Sequence, residues 1–126
     1  MAFPSDGICR PVQAQLDAYN ALDIDGFMRW WTADCEYYAF PNTLLARGAD
    51  AIRARHVERF QESGLFGRLD ARVVVGNLVI DRETVSRNFP EASGEVDVLA
   101  IYDVVDGLIA RAWFSMGLRR SCGPAS

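Results

Sequence analysis

The sequence predicts an α+β domain in which about three N-terminal helices are followed by a mostly antiparallel sheet. Two observations predict this class. Apolar residues recur at helical spacing in the N-terminal half, whereas from Leu69 onwards they alternate with a period of two between turn residues. With 126 residues, half of them hydrophobic, the chain suffices for one core and a modest cavity but not for a second domain.

The N-terminal part is predicted to form two short helices and then a strand. The first helix presents apolar residues at helical spacing, at Val12, Leu16 and Tyr19. Asp23 or Asp25 ends this helix and caps the second. The apolar face of the second helix is formed by Phe27, Trp30 and Trp31. The aromatic run from Cys35 to Phe40, stopped by Pro41, is typical of a strand that ends in a turn.

A third helix and an antiparallel meander complete the prediction. The helix begins at Asp50, ends at Ser63 and Gly64, and carries Ile52, His56, Val57 and Phe60 on one side. Its charged residues are expected to lie largely elsewhere, namely Arg53, Arg55, Glu58, Arg59 and Glu62. Four strands follow, over LDARVVVGNLVID, ETVSRNF, EVDVLAIYDV and LIARAWFSMG. Turns are predicted at Arg82-Glu83, at 90–94 and at 105–107.

The last hairpin predicts a subunit interface. A three-residue loop would pair Tyr102 with Ala110 and Val98 with Phe114, which makes one face of the two strands apolar. That face suits the helices and the pocket. The opposite face has an apolar centre and a charged rim, as protein interfaces do. We therefore expect a homodimer through the sheet, with an interface of Leu99, Ile101, Arg111 and Trp113.

Composition argues against several classes of partner. The net charge is −4 and the basic residues are scattered, so nucleic-acid binding is not expected. No apolar stretch approaches the roughly 20 residues that span a membrane, and no signal sequence is visible, so a cytoplasmic protein is predicted. All 13 basic residues are arginine, which excludes a Schiff base on lysine.

The cysteines and the termini complete the expectations from composition. Cys9, Cys35 and Cys122 are odd in number and lack metal-ligand spacing, which predicts free thiols and no metal site. Residues 1–10 are predicted to be a flexible leader and residues 119–126 a flexible tail, with a single domain over residues 11–118.

The order of elements resembles the NTF2-like superfamily, in particular its SnoaL-like and ketosteroid isomerase-like domains. The residues that carry the resemblance lie between about Pro11 and Gly117, in AYNALDIDGF, TADCEYYAFP, Arg47-Gly48 and EVDVLAIYDVVDGLIARAWFSMG. It implies a cone-shaped fold, in which the helices pack on a curved, mostly antiparallel sheet that encloses a pocket, and it agrees with the dimer already expected. The aromatic residues of the sequence favour a small hydrophobic or aromatic ligand in that pocket, and no cofactor is expected.

The resemblance also shows where this sequence departs from ketosteroid isomerases. Those enzymes use a carboxylate base after the first strand, with a tyrosine and a protonated aspartic acid that hold the enolate oxygen. The base position here falls on Ala39 or Phe40, the aspartic acid position on Ala100, and the tyrosine position on Gln15. Steroid isomerisation by that mechanism is therefore not expected.

The remaining candidate for proton transfer is His56, the only histidine. The resemblance implies that its helix position faces the cavity, and imidazole has an unperturbed pKa of about 6.5. A lone histidine on an apolar helix face also fits a core residue, so both interpretations stay open. Candidate hydrogen-bond donors to a ligand oxygen are Tyr19, Tyr37 and Tyr102. The predicted pocket wall consists of Leu16, Phe27, Trp31, Ala39, Phe40, Phe60, Phe89, Val98, Ala100, Ala112, Phe114 and Met116.

The expected function is ligand binding, with acid/base chemistry as one form of it. The sequence is compatible with a cofactor-independent isomerase, cyclase or dehydratase that acts on a small hydrophobic carbonyl compound. The alternative is a ligand-binding or dimeric assembly module without catalysis, since fold alone does not fix function. Neither a carboxylate inside the pocket nor a convergent pair of arginines is predicted.

Overall fold

The computed structural model describes residues 4–88 and 93–121, which form three helices and one six-stranded sheet. The helices are α1 (Pro4–Asn20), α2 (Ile24–Met28) and α3 (Ala49–Arg59). The strands are β1 (Trp31–Ala39), β2 (Thr43–Arg47), β3 (Phe66–Val75), β4 (Leu78–Asn88), β5 (Ser93–Val105) and β6 (Leu108–Ser121). Their order in the sheet is β2-β1-β6-β5-β4-β3, and only the β1–β6 pair is parallel. The predicted α+β class, with helices on a curved and mostly antiparallel sheet, is confirmed.

Secondary structure extends beyond residues 11–118 at both ends. Helix α1 begins at Pro4, so residues 4–10, which the sequence assigned to a leader, are helical. Strand β6 continues to Ser121, into the predicted tail, because its last residues pair with the start of β5. Cys122 and the rest of the tail lie outside the described residues.

Two local signals place the helices as the sequence predicts. Asp23 caps α2, since its Oδ1 accepts a hydrogen bond of 3.0 Å from the Gly26 N–H. Gly48 precedes α3 with φ of +88°, a conformation that favours glycine, and its N–H donates to the Cys35 carbonyl over 2.7 Å. This bond ties the start of α3 to strand β1.

The first hairpin of the meander is displaced from its prediction. The chain turns at Gly76 and Asn77, which leaves Val75 opposite Leu78. The segment VVVGNLVI was interpreted as one strand because its apolar residues outweigh this short turn. Strand β4 then passes through Arg82 and Glu83, where a turn was predicted. Glu83 therefore lies in the middle of a strand.

The last hairpin has a shifted register but the predicted faces. Asp106 and Gly107 both have positive φ and form a two-residue turn, not the three-residue loop that we expected. With a bulge after Asp103, Tyr102 faces Ala112 and Val98 faces Met116. The register differs by two residues from the prediction. Since side chains alternate with a period of two, the same residues still point to the helices.

The core lies between the helices and the inward face of the sheet. Its largest cluster includes Val12, Phe27, Ile52, Ala100 and Ile109. The opposite face carries the predicted interface residues Leu99, Ile101, Arg111 and Trp113, of which Leu99 is 41% exposed. In the part of the chain that the structure describes, no helix is long and apolar enough to cross a membrane.

Candidate functional site

A cavity of about 140 Å³ lies between the helices and the inward face of the sheet. Every helix and five of the six strands contribute to its wall. The apolar part of the wall consists of Leu16, Phe27, Trp31, Ala39, Leu45, Val85, Val96, Val98, Phe114 and Met116. The polar part consists of Gln15, Tyr19, Tyr37, Arg55, His56, Arg59, Glu83, Arg87 and Tyr102. A mostly apolar wall with a few convergent polar groups is the usual composition of a small-molecule site.

The structure brings most of the predicted site residues together. All four candidate catalytic residues, His56, Tyr19, Tyr37 and Tyr102, lie in the wall of the cavity. So do seven of the predicted wall residues, namely Leu16, Phe27, Trp31, Ala39, Val98, Phe114 and Met116.

Four predicted wall residues do not line the cavity. Phe40 follows the end of β1 and is 54% exposed, because it lies beyond the sheet where the chain turns away. Ala100 and Ala112 are fully buried in the core beneath the wall, where larger neighbours cover them. Phe60 packs behind Tyr19, with its ring edge-on at 5.4 Å between centroids. The remaining predicted wall residue, Phe89, lies outside the described residues.

His56 is held within a cluster of aromatic rings. Its imidazole lies 4.5 Å from the Phe27 ring and 5.4 Å from the Tyr37 ring, measured between centroids. Nδ1 lies 2.8 Å from the Ile52 carbonyl, which assigns the proton of a neutral ring to Nδ1 as a donor. Burial lowers the pKa of His56 to about 4, and the charges of Arg59 and Arg55 act in the same direction. His56 is therefore neutral near pH 7 and is a weak base.

The three tyrosines keep their protons, because burial raises the pKa of each hydroxyl. Burial raises the pKa of Tyr19 to about 12, against the opposing charge of Arg59. The pKa of Tyr37 is also raised by burial, and that of Tyr102 is raised well above its ordinary value. The Tyr102 oxygen accepts a hydrogen bond of 3.3 Å from Gln15 Nε2, which leaves its own O–H free to donate. Tyr102 can therefore donate a hydrogen bond to a ligand oxygen.

A buried carboxyl group, Glu83, also lines the cavity, contrary to the expectation from sequence. Its side chain points inward from β4 and is only 6% exposed. Among the described residues none donates a hydrogen bond to it. Burial raises the pKa of Glu83 to about 7, with a further contribution from the charge of Asp81. A carboxyl group with this pKa exchanges a proton readily near neutral pH.

Two neighbours determine the position of Glu83. Gly67 on β3 faces it, and a Cβ at that position would lie 3.1 Å from Glu83 Oε1, so the absence of a side chain makes room for the carboxyl group. Next to it, Asp81 is fully buried and forms two hydrogen bonds, of 2.7 and 2.9 Å, with the Arg72 guanidinium. The Arg72 charge opposes the rise in the pKa of Glu83 but does not cancel it.

One available sequence signal would have located Glu83. With the turn placed at Gly76-Asn77, alternation along a single strand puts Val79, Asp81, Glu83, Val85 and Arg87 on one face. That face pairs with Val98 and Tyr102 of β5, which line the cavity. The misplaced turn at Arg82-Glu83 hid this alternation.

Helix α3 brings two arginines to the cavity that the sequence analysis placed elsewhere. Ile52, Arg55, His56 and Arg59 are spaced three, four and seven residues apart, so they share one helix face. Val57, which we expected on this face, is 42% exposed. The Arg55 guanidinium lies 5.3 Å from the centre of the Tyr37 ring. With Arg87 from β4, three guanidinium groups therefore converge on the cavity.

Other kinds of site find no support in the described residues. Cys35 is buried, and burial raises the pKa of its thiol to about 11, so it is not a nucleophile near neutral pH. No group of three or more histidine, cysteine or acidic residues in 4–88 and 93–121 is arranged to hold a metal ion.

Comparison with known proteins agrees with this architecture. The family model of the SnoaL-like domain matches residues 12–112. Among curated proteins none matches the sequence. The resemblance to NTF2-like domains is confirmed.

Three solved structures share the fold at low sequence identity. An uncharacterized cystatin fold protein from Novosphingobium aromaticivorans is 23% identical, with a TM-score of 0.77, over 85% of this chain and 96% of that one. An LEH-like epoxide hydrolase from M. tuberculosis is 18% identical, with a TM-score of 0.78, over 89% and 84%. A candidate polyketide cyclase from Sinorhizobium meliloti is 24% identical, with a TM-score of 0.72, over 89% and 99%.

Proposed function

Because the chain belongs to the SnoaL-like domain family, we propose that it binds a small, mostly apolar carbonyl compound and transfers a proton on it. The observation that carries this proposal is Glu83, a buried carboxyl group in the cavity wall with a pKa raised to about 7 by burial. Candidate cyclases and isomerases and an epoxide hydrolase share the fold, which is compatible with this chemistry.

The proposed reaction begins with proton abstraction from carbon. The Glu83 carboxylate takes a proton from the carbon next to the ligand carbonyl, and the C–H electrons form an enolate. The Tyr102 O–H donates a hydrogen bond to the enolate oxygen and keeps its proton, which its raised pKa favours. Protonated Glu83 then returns the proton to a different carbon in an isomerisation. In a dehydration, it protonates a departing hydroxyl group.

Glu83 supersedes His56 as the candidate for proton transfer. The Nδ1 proton of His56 is committed to the Ile52 carbonyl, and the pKa of the ring is lowered to about 4 by burial. A base that weak takes a proton from carbon less readily than a carboxylate with a pKa near 7. We assign His56 the role of an acceptor that orients Tyr37 or the ligand from the aromatic wall.

The experiment follows hydrogen–deuterium exchange on cyclohexanone in D₂O, by loss of the proton signals next to the carbonyl. This single-ring ketone suits the cavity, since an engineered cavity of about 150 Å³ binds benzene. We expect the protein to accelerate exchange, and Glu83→Gln to remove about 10²-fold of the rate or more. The control is Asp97→Asn, which removes an exposed carboxylate on the other face of the sheet.

The alternative, a binding module without catalysis, gives a different result in the same experiment. Cyclohexanone would then shift the NMR signals of the cavity residues without any exchange above the buffer rate. Exchange that is equal in the wild type and in Glu83→Gln would contradict the assignment of Glu83. If neither a shift nor exchange occurs, the proposed ligand class is wrong.

A further inference from the structure

A polar crevice of about 370 Å³ lies next to the cavity and shares its arginines. Arg55, Arg59 and Arg87 belong to the walls of both, and Glu58 and Glu62 complete the crevice. The three guanidinium groups therefore mark the boundary between the apolar cavity and the polar crevice. A ligand that extended from one into the other would therefore lie beside these arginines.

Only one of these guanidinium groups is neutralised by a carboxylate. Glu62 forms two hydrogen bonds to Arg87, of 2.8 and 3.0 Å. Among the described residues, none forms an ion pair with Arg55 or Arg59, and Glu58 is exposed without pairing to either. Arg55 Nε is buried and has no hydrogen-bond partner in this part of the chain. Partly buried cations without an anion are unfavourable, so this pair is suited to an anion from outside.

The candidate base, Glu83, lies on strand β4 at a distance from the arginines at the boundary. Glu83, Val85 and Arg87 all line the cavity from the same face of the strand. Four residues of extended strand place the Cα atoms of Glu83 and Arg87 roughly 13 Å apart. An anionic group beside the arginines is thus kept away from the Glu83 carboxyl group, with apolar surface between the two.

We propose that the carbonyl compound carries one apolar ring and, in addition, a carboxylate group, and that Arg55 and Arg59 bind this carboxylate while the ring occupies the cavity. This inference rests on the proposed ligand-binding function and names its substrate class. The cavity of about 140 Å³ matches a single ring. A guanidinium pair matches a carboxylate because its N–H groups donate two parallel hydrogen bonds.

The test compares 3-phenylpropanoate with 3-phenylpropan-1-ol, which has the same ring and chain but no charge. Isothermal titration calorimetry of the full chain measures both dissociation constants. We expect the acid to bind about tenfold to a hundredfold more tightly than the alcohol. Arg55→Gln and Arg59→Gln should each remove most of this advantage, because they weaken acid binding much more than alcohol binding.

Matched variants separate the role of charge from folding. Arg53 lies on the same helix but pairs with Asp25 outside the cavity. Arg53→Gln should therefore leave both dissociation constants unchanged. Arg59→Lys keeps a positive charge without the paired donors, and should bind the acid with intermediate affinity. Near-ultraviolet circular dichroism confirms that each variant is folded.

The remaining outcomes overturn the inference and identify what has failed. Equal affinity for the acid and the alcohol removes the anion site but leaves ligand binding in place. Tight acid binding that survives both glutamine variants places the anion elsewhere. If neither compound binds while cyclohexanone exchange persists, the carboxylate class is wrong and the proposed function stands; if exchange is also absent, both fail.

Discussion

Glu83 and Arg87 lie four residues apart on the inward face of strand β4 and both line the cavity, with Val85 between them. One strand thus supplies a carboxyl group and a guanidinium group to a single wall. The two groups differ in whether a neighbouring side chain pairs with them. Arg87 is neutralised by Glu62, whereas Glu83 has no hydrogen-bond donor among the described residues and a pKa raised to about 7. Of these two groups, the proposed base is the one that the fold leaves unpaired.

The first prediction concerns two opposing pH dependences of stability. Glu83 has a pKa of about 7 when folded and about 4.5 when unfolded, so its ionisation lowers the free energy of unfolding as pH rises between these values. His56 has a pKa of about 4 when folded and about 6.5 when unfolded, so its contribution rises with pH over that window. The two effects nearly cancel where the windows overlap.

Single variants should therefore reveal slopes that the wild type hides. Between about pH 5 and 6.5, His56→Gln should lose about 1.4 kcal/mol per pH unit as pH rises, and Glu83→Gln should gain as much, relative to the wild type. Urea unfolding at several pH values measures both. Comparison with the wild type removes the contribution of the surface acids. Slopes of the same sign in the two variants would contradict the assigned pKa shifts.

The fold could be predicted from the sequence because its signals are local and redundant. Asp23, Gly48 and the alternation along the last two strands each predict a feature that the structure contains. The predicted register of the last hairpin was wrong, but the predicted faces were right, because a shift of two residues returns each side chain to the same face. Tyr102 and Phe114 therefore lie on the predicted face.

The site was less predictable because it depends on one turn and on one helix face. Because a turn was predicted at Arg82-Glu83, Glu83 was assigned to that turn, and no carboxyl group was predicted in the cavity. Arg55 and Arg59 were placed largely away from the apolar side of α3, although their spacing of three and seven residues from Ile52 puts them on the face that lines the cavity. Sequence patterns assume that charged residues face solvent, so they miss charged residues that line a cavity.

The second prediction concerns Asn20, which joins the end of α1 to strand β3. Its Oδ1 accepts a hydrogen bond of 2.8 Å from the Gly67 N–H, and its Nδ2 donates one of 2.9 Å to the Gly67 carbonyl. Since β3 is an edge strand, these bonds satisfy backbone groups that the sheet leaves unpaired. Asn20→Ala should lower the free energy of unfolding by about 1–3 kcal/mol.

Two comparisons make the Asn20 prediction specific. Asn20→Asp keeps the acceptor but turns a charged oxygen towards the Gly67 carbonyl in place of the donor, so its loss in urea unfolding should be at least as large as that of the alanine variant. Asp17→Ala on the same helix removes the acceptor of an exposed hydrogen bond from Gln13 and should cost less than Asn20→Ala. Equal losses in all three variants would show that Asn20 does not secure this edge.

The third prediction compares two phenylalanines that the sequence placed in the same wall. Phe27 is 2% exposed and contacts the rings of Tyr19, Trp31 and His56, whereas Phe40 is mostly exposed. Phe27→Ala should cost about 3–5 kcal/mol of unfolding free energy, and Phe40→Ala less than about 1 kcal/mol. Thermal and urea unfolding measure both. A large loss for Phe40→Ala would mean that another surface covers it.

The fourth prediction is the homodimer expected from the outer face of the sheet. Trp113 lies there against Tyr38, with ring planes 12° apart and centroids 5.7 Å apart, and the Arg111 guanidinium lies 5.5 Å from the Trp113 ring. Beside it Leu99 leaves 41% of its surface exposed. Apolar groups with a charged rim favour burial against a second copy of the chain.

Light scattering at increasing concentration should give twice the mass of the chain, and Leu99→Arg should shift the protein towards the monomer. An arginine at this position would bring two like charges together near a two-fold axis, which opposes association. Val57→Arg is the matched control, because Val57 is as exposed as Leu99 but lies on α3, in the helical layer. A wild-type monomer at all concentrations contradicts the prediction. A dimer that only Val57→Arg dissociates would place the interface on the helices, over the arginines that border the cavity.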